Sequence, residues 1–401
     1  MEITIERLDH HGRGISYLNG KIVFVDNALP NEIVKVSITK ETSKYSEAKV
    51  IEYIKKSNAR VKNKCPFYLE CGGCDLRHMS YEDTIRFKCN KIKEIINKFA
   101  NIEINPIIIK NVNKDFYRNK LELKVKNGII GFYKKGTHEL VGIDRCLNAE
   151  EPINSFLLNI DDLHIHDGEV IVRSNYNGEI MLIIETEENP NIDIEHLREK
   201  NKLVGIILNG KVIFGVDHFI EIIDDMFFKM SFNSFFQINR TINKELFKIV
   251  EYNIDNDSVV LDLCSGVGTL SIVASTKASK VYGVEIVENA IKDSLINAKM
   301  NRRDNINFIL GDAFKTIDKI NDKIDTILID PPRSGLNRES LESILTSDAK
   351  KIIYVSCDPV TLARDLKVLL SKYIIKSCYI LDMFSYTYHV ECVALLCLKD
   401  N

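Results

Sequence analysis

The sequence predicts a three-part chain: a small all-β barrel over residues 1–58, a mixed α+β domain over 59–232, and a parallel-sheet α/β domain over 233–401. Three observations lead there. The pairs Asn19-Gly20, Asn127-Gly128, Asn177-Gly178 and Asn209-Gly210 all precede residue 232, and each lies between alternating or β-branched runs, the pattern of tight hairpins. From residue 233 strand-like runs (259–263, 280–284, 307–310, 326–329, 351–356) alternate with helical ones, which builds βαβ units. Charge divides along the chain: residues 1–135 hold 26 Lys+Arg and 16 Asp+Glu (+10), the rest 28 and 41 (-13), for a net -3. A basic front half suits a polyanionic partner; a merely solvated surface is the alternative.

The 401 residues are 45% hydrophobic and 28% charged, an ordinary globular balance. No apolar run reaches the length of a membrane span and no secretory signal opens the chain, so a cytoplasmic, membrane-free monomer is expected. Ten cysteines in such a setting point to metal or catalytic use rather than disulfides.

In the first part, 21–25 (Lys-Ile-Val-Phe-Val) and 33–38 (Ile-Val-Lys-Val-Ser-Ile) alternate as short strands, and five or so of these suggest an OB-like barrel. The stretches 8–14 (Leu-Asp-His-His-Gly-Arg-Gly) and 29–32 (Leu-Pro-Asn-Glu) resemble the TRAM domain, a small RNA-binding barrel attached to RNA-modifying enzymes. Next come Cys65, Cys71 and Cys74, with Gly72 and Gly73 letting the backbone wrap a metal centre. A fourth ligand is needed; Cys146 is the better candidate and Cys89 the weaker. Four thiolates suit tetrahedral zinc or a [4Fe–4S] cluster, and spacing leaves both open. Residues 80–100 read as a helix capped by Ser80, with Ile85, Cys89, Ile92, Ile95 and Ile96 on one stripe. The run 116–120 (Phe-Tyr-Arg-Asn-Lys) interleaves aromatic and basic residues, which suits RNA stacking or a core aromatic with solvated neighbours.

In the third part, 259–270 is a strand, a glycine turn (Gly266, Gly268, Thr269) and a helix start, so backbone there approaches a ligand closely. The next strand ends in Glu285, where a ribose diol would be gripped, and the following one ends at Gly311-Asp312. The missing third glycine and the acidic Asp262 disfavour a dinucleotide fold and fit the S-adenosylmethionine (AdoMet) site of class I methyltransferases. Asp330-Pro331-Pro332-Arg333 follows another strand; Asp330 and Arg333 there disfavour amino-group methylation. The strand 351–356 then leads into Cys357, with Asp358 as helix N-cap and Pro359 at the first helical position. The helix dipole should lower the Cys357 thiol pKa, which suits a nucleophile; a small buried apolar cysteine is the alternative.

With these stretches, 234–239 (Ser-Phe-Phe-Gln-Ile-Asn), 382–384 (Asp-Met-Phe) and 389–391 (His-Val-Glu), nearly the whole chain resembles the uracil-5 RNA methyltransferases, the RumA/TrmA family. The barrel and the cysteine cluster resemble the branch acting on 23S ribosomal RNA. The resemblance implies Cys357 as nucleophile and Glu391 as general base. It implies Gln237, Cys264, Gly266, Gly268, Thr269, Glu285, Asp312 and Asp330 around AdoMet or the target base. It implies that Cys65, Cys71, Cys74 and Cys146 hold a [4Fe–4S] cluster. Cys264-Ser265 stands where the family has an aromatic then Cys, Asp358 where it has Asn, and Ser385-Tyr386 where it has Pro-Gln. These departures bear on cofactor affinity and substrate choice more than on reaction type. Other readings are the same chemistry on transfer RNA and a non-catalytic RNA-binding or assembly factor.

Overall fold

The computed structural model describes residues 1–317 and 320–400. Its first unit is a six-stranded sheet in the order Glu2–Thr4, Ile33–Glu41, Tyr45–Lys55, Lys21–Asp26, Gly14–Leu18, Arg7–Leu8. Alternation sets its faces: Val34 and Val36 point inward to Ile3, Ile5, Val23, Val25 and Ala48, while Lys35 and Ser37 are exposed. Glu32 is fully buried and accepts from Leu29 N (2.8 Å) and from Arg60 Nε (2.5 Å) and Nη2 (2.8 Å), fastening the sheet to the chain that follows.

The second unit is a seven-stranded sheet, ordered Leu140–Gly142, Ile129–Tyr133, Lys120–Lys126, Gly168–Ser174, Ile180–Glu185, Leu203–Leu208, Lys211–Gly215. Neighbours are antiparallel except Ile180–Glu185 with Leu203–Leu208, whose parallel pairing needs the crossover helix Ile194–Lys200. Asn19-Gly20, Asn127-Gly128 and Asn209-Gly210 make the expected tight turns, both residues of each having positive φ. At Asn177-Gly178 only the glycine does, and the loop is longer: Asn175 Oδ1 accepts from Asn177 N and Glu179 N.

The third unit is an eight-stranded sheet, ordered Ile306–Leu310, Lys280–Glu285, Val259–Leu263, Thr326–Ile329, Lys351–Ser356, Glu391–Leu398, Tyr373–Leu381, Ile107–Ile109. Its first five strands are parallel, and strand order reverses between Val259–Leu263 and Thr326–Ile329. A crevice opens at such a switch point, outside the strands' carboxyl ends.

Residues 59–232 do not pack as one body. Strand Ile107–Ile109 runs parallel to Tyr379–Leu381 at the edge of the third sheet. Helix Tyr81–Ala100, capped as expected by Ser80, buries Ile92, Ile95 and Ile96 against Ile327, Tyr354, Leu366 and Ile380. Cys89 packs in that same core, apart from Cys65, Cys71, Cys74 and Cys146. The hairpin His218–Ile223/Met226–Ser231 also leans on the third unit, through Lys229 N to Asn297 Oδ1 (2.6 Å) and Ser231 N to Asp293 Oδ2 (2.9 Å). For the helix the physical cause is its apolar stripe, which the core of the third unit covers.

Candidate active site

Strand Lys351–Ser356 delivers Cys357 at its carboxyl end, just before helix Pro359–Leu369. Strand Glu391–Leu398 lies antiparallel beside it with Ser356 opposite Cys392. Cys357 follows Ser356 and Glu391 precedes Cys392, so both stand at this end of the pair, near enough for the Glu391 charge to act on the thiol. On the other side, the parallel strand Thr326–Ile329 ends in Asp330. Cys357, Glu391 and Asp330 line one cavity of about 570 Å³, together with Gln237, Cys264, Gly266 and Thr269.

Burial dominates the electrostatics. It raises Glu391 well above the usual carboxylate range, an effect deepened by the Asp330 charge and opposed by Arg333. Burial likewise pushes Asp330 up to about 6. The expected lowering of the Cys357 thiol is not found. Burial first, then the Glu391 charge, pushes it up to about 11, with the Arg333 guanidinium drawing it down. The helix start gives little help, because Asp358 Oδ1 already accepts from Val360 N and Thr361 N, both at 2.9 Å. The cap that makes the helix also occupies its free amides and adds a negative charge beside the thiol.

The turn at 264–268 is conformationally demanding. Cys264 (φ 65°), Gly266 (φ 55°) and Gly268 (φ 83°) are all left-handed. A Cβ on Gly268 would stand 2.7 Å from Phe308 Cζ, whereas one on Gly266 would meet nothing within 4 Å, leaving that backbone open to a ligand. Glu285 lies behind the turn: its Oε2 accepts from Gly266 N (2.9 Å) and its Oε1 from Ile286 N (2.8 Å) and Val287 N (2.9 Å). Asp312 follows strand Ile306–Leu310 and its carbonyl accepts from Thr316 Oγ1 at 2.8 Å. Gly268, Glu285 and Asp312 thus border the cavity rather than line it. The Ser265 hydroxyl is buried with no hydrogen-bond partner among the described residues. A polar ligand group fits against it and Gly266.

Arg118, Lys120, Arg173 and Arg333 also line the cavity, an inner wall suited to a polyanion. Of the run 116–120, Tyr117 is a buried core residue whose hydroxyl donates to Ser385 O (3.1 Å), while Arg118 and Lys120 face the site. Sequence reasoning missed Arg173, and it quoted Phe384 only as part of the 382–384 motif without a role in the site. Arg173 lies in the strand Gly168–Ser174 and donates to Phe232 O (3.2 Å) and Ser234 O (3.3 Å); nothing in the alternation of that strand marks it.

Cys65, Cys71, Cys74 and Cys146 line a separate cavity of about 210 Å³. Gly72 is required there: a Cβ would stand 2.9 Å from Tyr133 O, which accepts from Gly72 N at the same distance. Asn148 Nδ2 donates to Cys74 Sγ at 3.2 Å.

Residues 80–399 match the tRNA (uracil-5-)-methyltransferase family, and residues 1–51 match the TRAM domain. An uncharacterized RNA methyltransferase of Oceanobacillus iheyensis is 34% identical over 443 residues, covering 99% of this chain and 96% of the relative. One of Aquifex aeolicus is 34% identical over 420 residues, covering 100% and 99%. The fold is that of the Pyrococcus abyssi tRNA (uracil-54, C5)-methyltransferase, solved with S-adenosyl-L-homocysteine: TM-score 0.81 at 24% identity, over 99% of this chain and 100% of that one. Among the described residues no helix is long and apolar enough to cross a membrane. With matches running the length of the chain, it belongs to the tRNA (uracil-5-)-methyltransferase family, as an AdoMet-dependent RNA methyltransferase with an amino-terminal TRAM domain.

Proposed function

We propose that this chain methylates carbon 5 of a uridine in 23S ribosomal RNA through a covalent bond between Cys357 and carbon 6 of the base. The observation that carries the chemistry is the meeting of Cys357, Glu391 and Asp330 at strand ends in one cavity with the glycine turn. AdoMet, when bound, supplies an electrophilic methyl group. Gly266, Thr269, Gln237 and the unpartnered Ser265 hydroxyl would hold it, with Glu285 and Asp312 behind them.

Carbon 5 of uracil is too weak a nucleophile on its own. Cys357 reacts as its thiolate, the thiol proton having passed to solvent, and its sulfur bonds to carbon 6, placing carbanion character on carbon 5. Once carbon 5 carries the methyl group, its proton passes to the Glu391 carboxylate, directly or through a water. The electron pair of that C–H bond forms the 5,6 double bond, the Cys357–carbon 6 bond breaks, and the thiolate is regenerated. Arg333, drawing down both Cys357 and Glu391, favours their deprotonated working forms. The target base must leave its stack to reach this cavity.

The TRAM domain and the four cysteines together support ribosomal RNA. Transfer RNA is the second reading, favoured by the family's description and by the substrate of the Pyrococcus abyssi protein. Mapping 5-methyluridine in both RNAs from a deletion strain decides: loss from 23S RNA is expected, and loss from transfer RNA alone would overturn the assignment.

In the same reading the four cysteines hold a [4Fe–4S] cluster. The cavity they line has room for a polynuclear centre. Anaerobically purified protein should be brown and contain acid-labile sulfide. Stoichiometric zinc without sulfide, after iron-replete growth, would refute the cluster.

A further inference from the structure

The loop 382–390 joins the last two strands of the third sheet and leads directly into Glu391. It carries Phe384, which lines the catalytic cavity, and His389, whose ring lies 6.0 Å from that of Phe384. The other side of this loop rests on the turn that ends in Cys74. Asp75 N and Leu76 N both donate to Tyr386 O, at 3.1 and 2.9 Å. Asp75 Oδ2 accepts from Tyr388 N at 3.3 Å. The Arg77 guanidinium covers the Tyr386 ring at 4.6 Å and its Nη2 hydrogen-bonds Asn148 Oδ1; the Asn148 amide in turn donates to Cys74 Sγ. Tyr386 is held at φ 60°, a left-handed conformation that a tyrosine adopts only under external constraint.

These contacts form one strut, from the cysteine cavity to the loop before the proposed base. We propose that Asp75 is a positioning residue and that the four-cysteine site sets the shape of the catalytic cavity through it. The turn Cys71–Asp75 is anchored by the cysteine ligands on one side and clamps the Tyr386–Tyr388 backbone on the other. A filled metal site therefore fixes where Phe384, His389 and Glu391 stand when RNA enters. This gives the centre a mechanical role in methyl transfer without requiring it to touch substrate. The proposal rests on the reading of the cysteines as metal ligands, whichever metal they bind.

The test uses the full-length, metal-loaded protein with Asp75→Ala, Asp75→Asn and Cys71→Ser. Four quantities are read: metal and sulfide per chain, AdoMet affinity, kcat and KM on total RNA from the deletion strain, and deuterium exchange of peptides within 382–391. Asp75→Ala should keep its metal and its AdoMet affinity. Its kcat should fall at least tenfold with KM within about twofold, and the loop peptides should exchange faster. Asp75→Asn, which retains an oxygen able to accept from Tyr388 N, should recover most of kcat. Cys71→Ser should lose metal, keep AdoMet binding and show the same faster exchange over 382–391. Unchanged exchange in Cys71→Ser would overturn the coupling, as would an Asp75→Ala protein with unaltered kcat. Metal loss in Asp75→Ala proportional to its loss of activity would also overturn it, by making Asp75 a support of the metal site alone. Zinc in place of iron would refute the cluster but not the strut.

Discussion

Replacing Lys88 by Met should destabilise the third unit by about 3 kcal/mol. Lys88 and Asp382 are each 1% exposed, and Lys88 Nζ lies 2.6 Å from Asp382 Oδ1. The ammonium also donates to Phe384 O at 2.9 Å. Methionine keeps the aliphatic stem and removes the charge, so Asp382 stays buried with only neutral donors. Removing one partner of such a pair costs about 3–5 kcal/mol. The lower end applies because Asp382 Oδ2 still accepts from Tyr81 (2.8 Å) and Ser385 (2.6 Å) hydroxyls. The chain has no tryptophan, so urea unfolding is followed by tyrosine fluorescence and far-ultraviolet circular dichroism. With a slope of about 3 kcal/mol per molar urea, the midpoint should fall by about 1 M. The double variant Lys88→Met/Asp382→Asn, which removes both charges, should recover at least half of that shift. A Lys88→Met midpoint within about 0.3 M of the unmodified protein would refute the claim that this pair is buried and coupled.

Cys357→Ala should give neither covalent complex nor product, whereas Glu391→Gln should accumulate protein joined to methylated RNA, seen as a slow band on a denaturing gel; product from Cys357→Ala would sink the mechanism. Methyl transfer should accelerate as pH rises from neutral through the alkaline range, because the working forms of Cys357 and Glu391 are deprotonated and burial raises both pKa values, the thiol to about 11. Arg333→Ala removes the charge opposing both shifts, so its profile should move to higher pH with lower activity at neutrality; stopped-time methyl incorporation across a buffer series reads this. Deleting residues 1–58 should weaken RNA binding, and the unmodified chain's affinity should fall with salt with a log–log slope of several negative units, while AdoMet binding persists.

Parallel strands were the most legible part of the fold. The runs 259–263, 326–329 and 351–356 coincide with observed strands because they are short, β-branched and buried on both faces. Ser80 and Asp358 announced their helices through capping chemistry, which is local. The fourth cysteine was harder, since Cys146 reaches the other three only through the folding of the second unit. The hairpin at Asp224-Asp225 escaped notice because no glycine marks it, although Asp224 has φ 51°. The three-residue strand Ile107–Ile109 is too short for any periodicity to register. The Cys357 ionisation was misjudged for a different reason. The helix start is a local feature, but the burial that chiefly raises the thiol, and the Glu391 charge that adds to it, arise only when the sheet assembles.

The edge strand Ile107–Ile109 and the helix before it also fix an order of events during synthesis. Their partner strand ends at Leu381, so some 270 residues must be made after Ile109 before that pairing is possible. At 5–20 residues per second this is roughly 15–50 s on the ribosome. Until Ile327, Tyr354, Leu366 and Ile380 have been made, Ile92, Ile95 and Ile96 lack much of the core that finally covers them. The TRAM domain can close early, from contacts within its first 55 residues, while the catalytic sheet is completed only once strand Glu391–Leu398 has been made. A fragment ending before residue 327 would lack Ile327, Tyr354, Leu366 and Ile380, leave much of that apolar stripe uncovered, and is expected to aggregate.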